Sequence, residues 1–145
     1  LMNNTRRPTK CRAQKIGKVN LLKLTGRLTP DEHEDVLLSN VKQLVEADEK
    51  YFLVDLSSVN YINSSGVGTI IQCFRLTRAK GGDLKILNPS QSVTHIIQVS
   101  KLDSIFEVFR DQAVAIESFT EDPSSDANKK GRSRKQTASE DDKED

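Results

Sequence analysis

The feature that most constrains this chain is a change of hydrophobic period within one stretch, from Tyr51 to Gly81. The stretch opens with Y-F-L-V-D-L, a short apolar run typical of a buried strand that ends at Asp55 and Leu56. A polar segment follows, which we expect to be a loop. From Ser64 onward the spacing of apolar residues becomes that of one helix face, namely Val67, Ile70, Ile71 and Phe74. The stretch therefore predicts a strand, a loop and a helix that a left-handed glycine closes at Gly81.

The same order of strand and helix recurs along the chain. Further strands are predicted at Val19–Thr25, Asp83–Leu87 and Ile105–Phe109. A helix is predicted to begin at Thr29, because Thr29 and Glu32 have the spacing of a capping box and Pro30 suits the first helical position. Two more helices are predicted, one after Asn88-Pro89-Ser90 and one from Asp111. This alternation predicts an α/β fold with a largely parallel sheet and right-handed crossovers.

Length and charge limit the organisation and the partners of the chain. The 145 residues suffice for one domain with its own core, and the net charge of +1 predicts neither nucleic acid nor a membrane as a partner. Residues 1–9 are predicted to be a flexible arm and residues 10–119 the domain. Residues 120–145 are predicted to be a disordered charged tail, because their only apolar residues are Ala127 and Ala138. The tail is interpreted as a solubilising segment or, alternatively, an interaction or phosphorylation segment.

The cellular location is inferred from what the sequence lacks. No apolar run approaches the roughly 18 residues of a membrane span, and no hydrophobic segment follows the N-terminal arginines as in a signal peptide. We therefore expect a cytoplasmic protein. Cys11 and Cys73 have no C-x-x-C spacing, so we expect reduced thiols.

Asn63, Ser64 and Ser65 lie at the predicted start of the central helix, and two interpretations of them stay open. In the first, they only cap the helix, and Gly66 and Gly68 allow close packing on the sheet. In the second, one serine carries a phosphate, since the positive end of a helix accommodates an anion without unfolding the domain. The second interpretation predicts a surface switch.

Motifs of enzyme chemistry are not found. The sequence has no G-K-[ST] phosphate loop, no G-x-S-x-G elbow, no H-E-x-x-H, no EF-hand loop and no Cys/His cluster. His33 and His95 are each interpreted as isolated surface or structural residues. We therefore expect no catalytic residue, no metal site and no cofactor. A nucleophilic role for Ser64 or Ser65 ranks last among the functions considered.

Several segments, in the right order, resemble the STAS domain of bacterial anti-anti-sigma factors. They are L-T-G-R-L-T, then L-V-D-L-S-S-V-N-Y-I-N-S-S-G-V-G, then R-A-K-G-G-D-L-K-I-L-N-P-S, and K-L-D-S-I-F. The resemblance covers roughly residues 10–119. It implies a STAS-like fold with a small, mostly parallel sheet, about four helices and an antiparallel N-terminal edge strand at Cys11–Ile16.

The resemblance also implies a function, that of an anti-sigma factor antagonist in a partner-switching circuit. Such a domain binds an anti-sigma factor that is also a serine kinase, until phosphorylation of one serine ends the binding. Ser64 matches that serine, and Asp55 matches an acidic residue expected close to it. ATP and magnesium would belong to the kinase. The implied partner surface also contains its neighbours along the chain and the first strand-to-helix junction, namely Thr29, Asn63, Ser65, Gly66 and Val67.

The chain departs from the family pattern at two positions. Family members usually carry Asp where this chain has Asn63 and Thr29, so the predicted docking surface has less negative charge. A different kinase, a weakened one, or binding without phosphorylation is compatible with these changes. An alternative function is that of a non-switching STAS subunit in a lipid-transport or signalling complex. The oligomeric state is not predicted.

Overall fold

The computed structural model describes residues 9–31 and 35–120. Its strands form one five-stranded sheet in the order β1-β2-β3-β4-β5. β1 pairs with β2 antiparallel, and the other three pairings are parallel. The strands are β1 (Lys10–Ile16), β2 (Val19–Leu28), β3 (Tyr51–Ile62), β4 (Asp83–Leu87) and β5 (Val108–Phe109). The predicted α/β architecture, including the N-terminal edge strand, is confirmed.

Four α-helices connect or follow the strands in the described residues. They are α1 (Val36–Glu46), α2 (Ser64–Ala79), α3 (Gln91–Val99) and α4 (Gln112–Glu117). Two short 3-10 turns complete the order, at Leu102–Ser104 and Ser118–Thr120. Helices therefore link the parallel strands from β2 to β5, as the alternation along the sequence predicts.

The two faces of the sheet are covered unequally. Successive strand residues point to opposite faces, so Phe52, Val54 and Leu56 pack in one cluster while Leu53 packs in the other. The larger cluster contains the buried hydrophobic residues of α1, α2 and α3. The smaller one is covered by α4 and the turn after it, through Ala115 and Phe119.

A buried lysine fixes the C-terminal turn to the smaller cluster. Lys85 is only 6% exposed, and its Nζ donates to Ser118 Oγ at 2.8 Å. The same Nζ lies 3.0 Å from a carboxylate oxygen of Glu107 and 4.5 Å from the centre of the Phe119 ring. The ammonium group is thus paired with both a hydroxyl and a carboxylate, which a buried charge requires.

β3 is longer than predicted, because the segment expected to be a loop continues as strand to Ile62. This segment pairs with β2 alone, since the pairing of β3 with β4 stops at Asp55. The register against β2 shifts twice, between Lys23 and Thr25 and between Gly26 and Arg27. The two irregularities bend the strand locally, and the last seven residues of β3 extend past β4.

Two further predictions of element ends are wrong. The predicted helix start at Thr29 is not found, because α1 begins at Val36 and its N-cap is Asp35. Glu32, the other half of the predicted capping box, and His33 lie outside the described residues. The last strand is confined to Val108–Phe109, and the Ile105 end of its predicted range is a turn.

The predicted end of the central helix is confirmed. Gly81 has φ +82°, and its N–H donates to Arg78 O at 3.0 Å. The N–H of Gly82 donates to Thr77 O at 2.9 Å. These are the two hydrogen bonds of a Schellman motif, which satisfies the last carbonyl groups of a helix.

Candidate functional site

The start of α2 lies against the ends of the two central strands. The N–H of Asn63 donates to Leu28 O, the last carbonyl of β2, at 3.4 Å. Thr29 follows Leu28 directly and is half-buried. Thr29 and the first turn of α2 therefore lie at the same end of the sheet, as the resemblance implies.

Asn63 holds the helix start in a fixed geometry. Its backbone is extended, and its Oδ1 accepts a hydrogen bond from Gly66 N at 2.9 Å. This is the hydrogen bond of an N-cap, which satisfies one of the N–H groups that a helix start leaves without an intrahelical partner. The predicted cap is confirmed, with Asn63 as the capping residue.

Ser64 and Ser65 are the first two residues of α2, and both are exposed. Neither is needed for the cap, because the Asn63 amide supplies it. Val67 is half-buried and packs against the larger core cluster. The two hydroxyl groups thus lie at the positive end of a 16-residue helix and are accessible to a partner.

The two glycines of the first turns differ, and the prediction for Gly68 is wrong. A Cβ on Gly66 would lie 2.7 Å from Ile62 Cγ1 and still closer to Leu28 O, so only glycine fits there. A Cβ on Gly68 would have no neighbouring atom within 4 Å. Close packing on the sheet therefore depends on Gly66 alone.

Asp55 is not brought together with the serines. It shares its sheet face with Leu53, which belongs to the α4 side, whereas α2 packs on the other face. Ile62 lies seven positions after Asp55 on β3, about 20 Å along the strand. The carboxylate is 7% exposed and accepts hydrogen bonds from the N–H and hydroxyl of Ser57, at 2.9 and 2.7 Å. These hydrogen bonds within β3 give Asp55 a structural role.

A groove that the sequence did not predict adjoins the site. It has a volume of about 920 Å³ and lies between residues 57–62 of β3 and the start of α3. At the edge of β3 that faces the groove, the Ser90 hydroxyl donates a hydrogen bond to Val59 O at 2.9 Å. Tyr61, 46% exposed, lines the groove, and the Arg27 guanidinium lies 4.6 Å from the centre of its ring. The groove lies where β3 extends past β4, and the sequence pattern carried no signal of that extent.

Other reactive groups lie away from the helix start. Burial raises the pKa of the Cys11 thiol to about 11 and also raises the pKa of the Cys73 thiol. Within residues 9–31 and 35–120, no three His, Cys, Asp or Glu side chains are grouped to hold a metal ion. No helix in those same ranges is long and apolar enough to span a membrane.

A mixed sheet with an antiparallel edge strand, and a capped helix start with exposed serines, are the features that the resemblance to the STAS domain implies. The profile of the STAS domain matches residues 11–115, and the chain belongs to that family. The anti-sigma F factor antagonist of Paenibacillus polymyxa is 22% identical over 100 residues, which are 68% of this chain and 84% of that protein.

Solved structures confirm the fold. An anti-sigma factor antagonist from Mycobacterium paratuberculosis aligns with a TM-score of 0.69 at 15% identity, over 79% of this chain and 96% of that one. The phosphorylated form of the Bacillus cell fate determinant SpoIIAA aligns with a TM-score of 0.60 at 19% identity, over 75% and 98%. At these identities, the two alignments show the fold that the chains share.

Proposed function

We propose that this chain is an anti-sigma factor antagonist that binds an anti-sigma factor through the end of the molecule formed by Thr29 and residues 63–67. The observation that carries the proposal is the exposed hydroxyl of Ser64 on a helix start held by Asn63 and Gly66. Family membership and the name of the Paenibacillus relative support it. A rigid, exposed helix start offers a partner a preorganised contact, which lowers the entropy lost on binding.

Phosphorylation of Ser64 by the bound partner, a serine kinase, would end the complex. A phosphate adds about −1.5 to −2 charges and three acceptor oxygens. The N–H groups of the first turn of α2 stabilise this charge within the free domain. In a complex the same group would lie in an interface that excludes water, where an unpaired charge is strongly unfavourable. Phosphorylation therefore lowers affinity while the fold is kept.

Two neutral residues of the proposed surface affect which kind of partner it binds. Asn63 and Thr29 carry no charge, so a partner that relies on basic residues to dock here gains less attraction than from an acidic surface. We therefore expect the cognate anti-sigma factor to contact this region mainly through uncharged groups. Asp55 receives no contact role in this proposal, because it is buried on the face opposite α2.

Capture from a lysate of the source organism tests the proposal. The immobilised wild-type chain and the Ser64→Ala variant should capture an anti-sigma factor that mass spectrometry identifies, and Ser64→Asp should not. Gln112→Asp is the matched control, because Gln112 is also an exposed first helical residue, on the helix of the opposite sheet face. It adds the same charge and should leave capture unchanged.

Phosphorylation needs a second measurement. The captured protein, incubated with ATP, magnesium and the chain, should add one phosphate at Ser64 and none to Ser64→Ala. Capture that is equal for Ser64→Asp and wild type would contradict the switch. Capture of membrane-transport subunits in place of an anti-sigma factor would contradict the antagonist function itself.

A further inference from the structure

A single carboxylate connects the first two helices beside the proposed surface. Asp35 Oδ1 accepts a hydrogen bond from Leu38 N at 3.1 Å and thereby caps α1. Its other oxygen, Oδ2, accepts one from the Thr69 hydroxyl of α2 at 2.7 Å. Thr69 is 5% exposed, so this hydroxyl is removed from water and the hydrogen bond to Asp35 satisfies it.

The hydrogen bond between Asp35 and Thr69 joins the two segments of the proposed surface. Thr69 lies five residues after Ser64 on the helix that begins with the exposed serines. Asp35 ends the segment that starts at Thr29. The contacts of Asn63 and Gly66 with Leu28 fix α2 to the strand ends, but they do not reach α1. The Asp35–Thr69 hydrogen bond is a direct polar contact that fixes α2 relative to α1.

We propose that Asp35 is a positioning residue for the partner-binding surface, and that Thr69 is the side chain through which it acts. The proposal rests on the proposed function, because it assigns a role within that surface. A hydrogen bond from a hydroxyl to a carboxylate is shorter and stronger than one between two neutral groups. Its loss leaves the approach of the two helices to apolar packing, which is less directional.

The charge of Asp35 reaches the interior between the helices. Cys73, one turn beyond Thr69, is fully buried, and the Asp35 carboxylate adds to the effect of burial in raising the pKa of its thiol. Serine and asparagine cap helices about as well as aspartate. The cap of α1 alone therefore does not require a carboxylate at this position, whereas the two hydrogen bonds seen here use both of its oxygens.

Four variants separate positioning from stability. Thr69→Val keeps the shape of the side chain and removes the donor, and Asp35→Ser keeps a cap but is too short to reach Thr69 as well. Thr69→Ser keeps the hydroxyl donor and should match the wild type in both measurements. Thr77→Val is the matched control, because Thr77 is also a buried threonine of α2, and its hydroxyl donates to Phe74 O within the helix at 2.9 Å.

The first measurement uses the free chain. NMR order parameters of the amides of residues 64–67 report their local mobility. They should fall in Thr69→Val and Asp35→Ser and stay at the wild-type value in Thr69→Ser and Thr77→Val. Unchanged order parameters in Thr69→Val and Asp35→Ser would overturn the positioning role, whatever the partner proves to be.

The second measurement is affinity for the anti-sigma factor captured by the wild-type chain, at a temperature where every variant is folded. We expect Kd to rise about tenfold for Thr69→Val and Asp35→Ser, the factor that corresponds to about 1.4 kcal/mol. Thr69→Ser and Thr77→Val should bind as wild type. An equal loss in Thr77→Val would show that stability, not positioning, sets affinity. If no anti-sigma factor is captured, the proposed function fails. The order parameters still test whether the Asp35–Thr69 hydrogen bond positions residues 64–67.

Discussion

Gly66 and Gly68 lie two residues apart on α2, and alanine at these positions should have opposite effects on stability. A Cβ at Gly66 would lie 2.7 Å from Ile62 Cγ1, whereas real Cβ atoms rarely approach within 3.4 Å. The start of α2 would have to move by about 0.7 Å, the difference between those distances, and the carbonyl of Leu28 is nearer still. At Gly68 the new methyl group would meet nothing within 4 Å.

The expected free energies follow from two opposing effects. Alanine in a helix interior is favoured over glycine by about 1 kcal/mol. Overpacking of a close contact costs about 1–3 kcal/mol, and the rigid backbone neighbour at Gly66 places it at the upper end. Gly68→Ala should therefore gain about 1 kcal/mol in the free energy of unfolding, and Gly66→Ala should lose about 2 kcal/mol. The two variants should differ by about 3 kcal/mol.

Urea unfolding followed by circular dichroism measures this difference. With an m-value of about 1.5 kcal/mol/M for a domain of this size, the midpoints of the two variants should lie about 2 M apart. The m-values should equal that of the wild type, because neither change alters the surface exposed on unfolding. A Gly66→Ala variant as stable as Gly68→Ala would refute the close approach of α2 to the strand ends.

Measurements on three other residues, Asn63, Lys85 and Cys11, test single interactions. Asn63→Ala should lose about 1 kcal/mol in urea unfolding through its lost cap, while Asn63→Asp should lose nothing. Lys85→Ala should lose about 2–3 kcal/mol in the free energy of unfolding. Lys85→Met keeps the apolar stem on Phe119 and should be nearly neutral. An equal loss in both variants would show that the charge itself stabilises the fold. The pKa of Cys11 is raised from 9.0 to about 11, so its thiol should react with iodoacetamide about 100-fold more slowly than in the urea-unfolded chain at pH 8. This raised pKa also contributes stability that is complete below pH 9 and is lost as the pH rises to about 11; a pH-independent unfolding midpoint across that window would contradict it.

The elements with strong periodicity were predictable from the sequence. The start of β3 is a continuous apolar run, and its residues Phe52 to Leu56 are all buried. The helix after Ser64 and its glycine end were predicted from spacing and capping chemistry that act locally. β1 was predicted only through the family resemblance. It is an edge strand in which Cys11 and Ile16 alone are partly buried, so its alternation is too weak to detect.

The remaining differences come from tertiary contacts. Thr29 and Asp35 are both suitable N-caps in sequence, and the hydrogen bond from Thr69 favours Asp35. Gly66 and Gly68 are equivalent in a helix pattern, and only the position of Leu28 distinguishes them. Sequence spacing could not predict which face of the sheet Asp55 occupies, because a strand of uncertain length has no fixed register with the helix that follows it.

The last seven residues of β3 are hydrogen-bonded to a strand on one side only, and the candidate surface begins where they end. A segment with one neighbour can tolerate a change of angle or length without altering the pairing of the strands beneath it. Substitutions of its exposed residues, such as Ser58 and Asn60, should therefore leave the melting temperature of the domain nearly unchanged. Recognition could then diverge quickly among related chains whose cores stay alike.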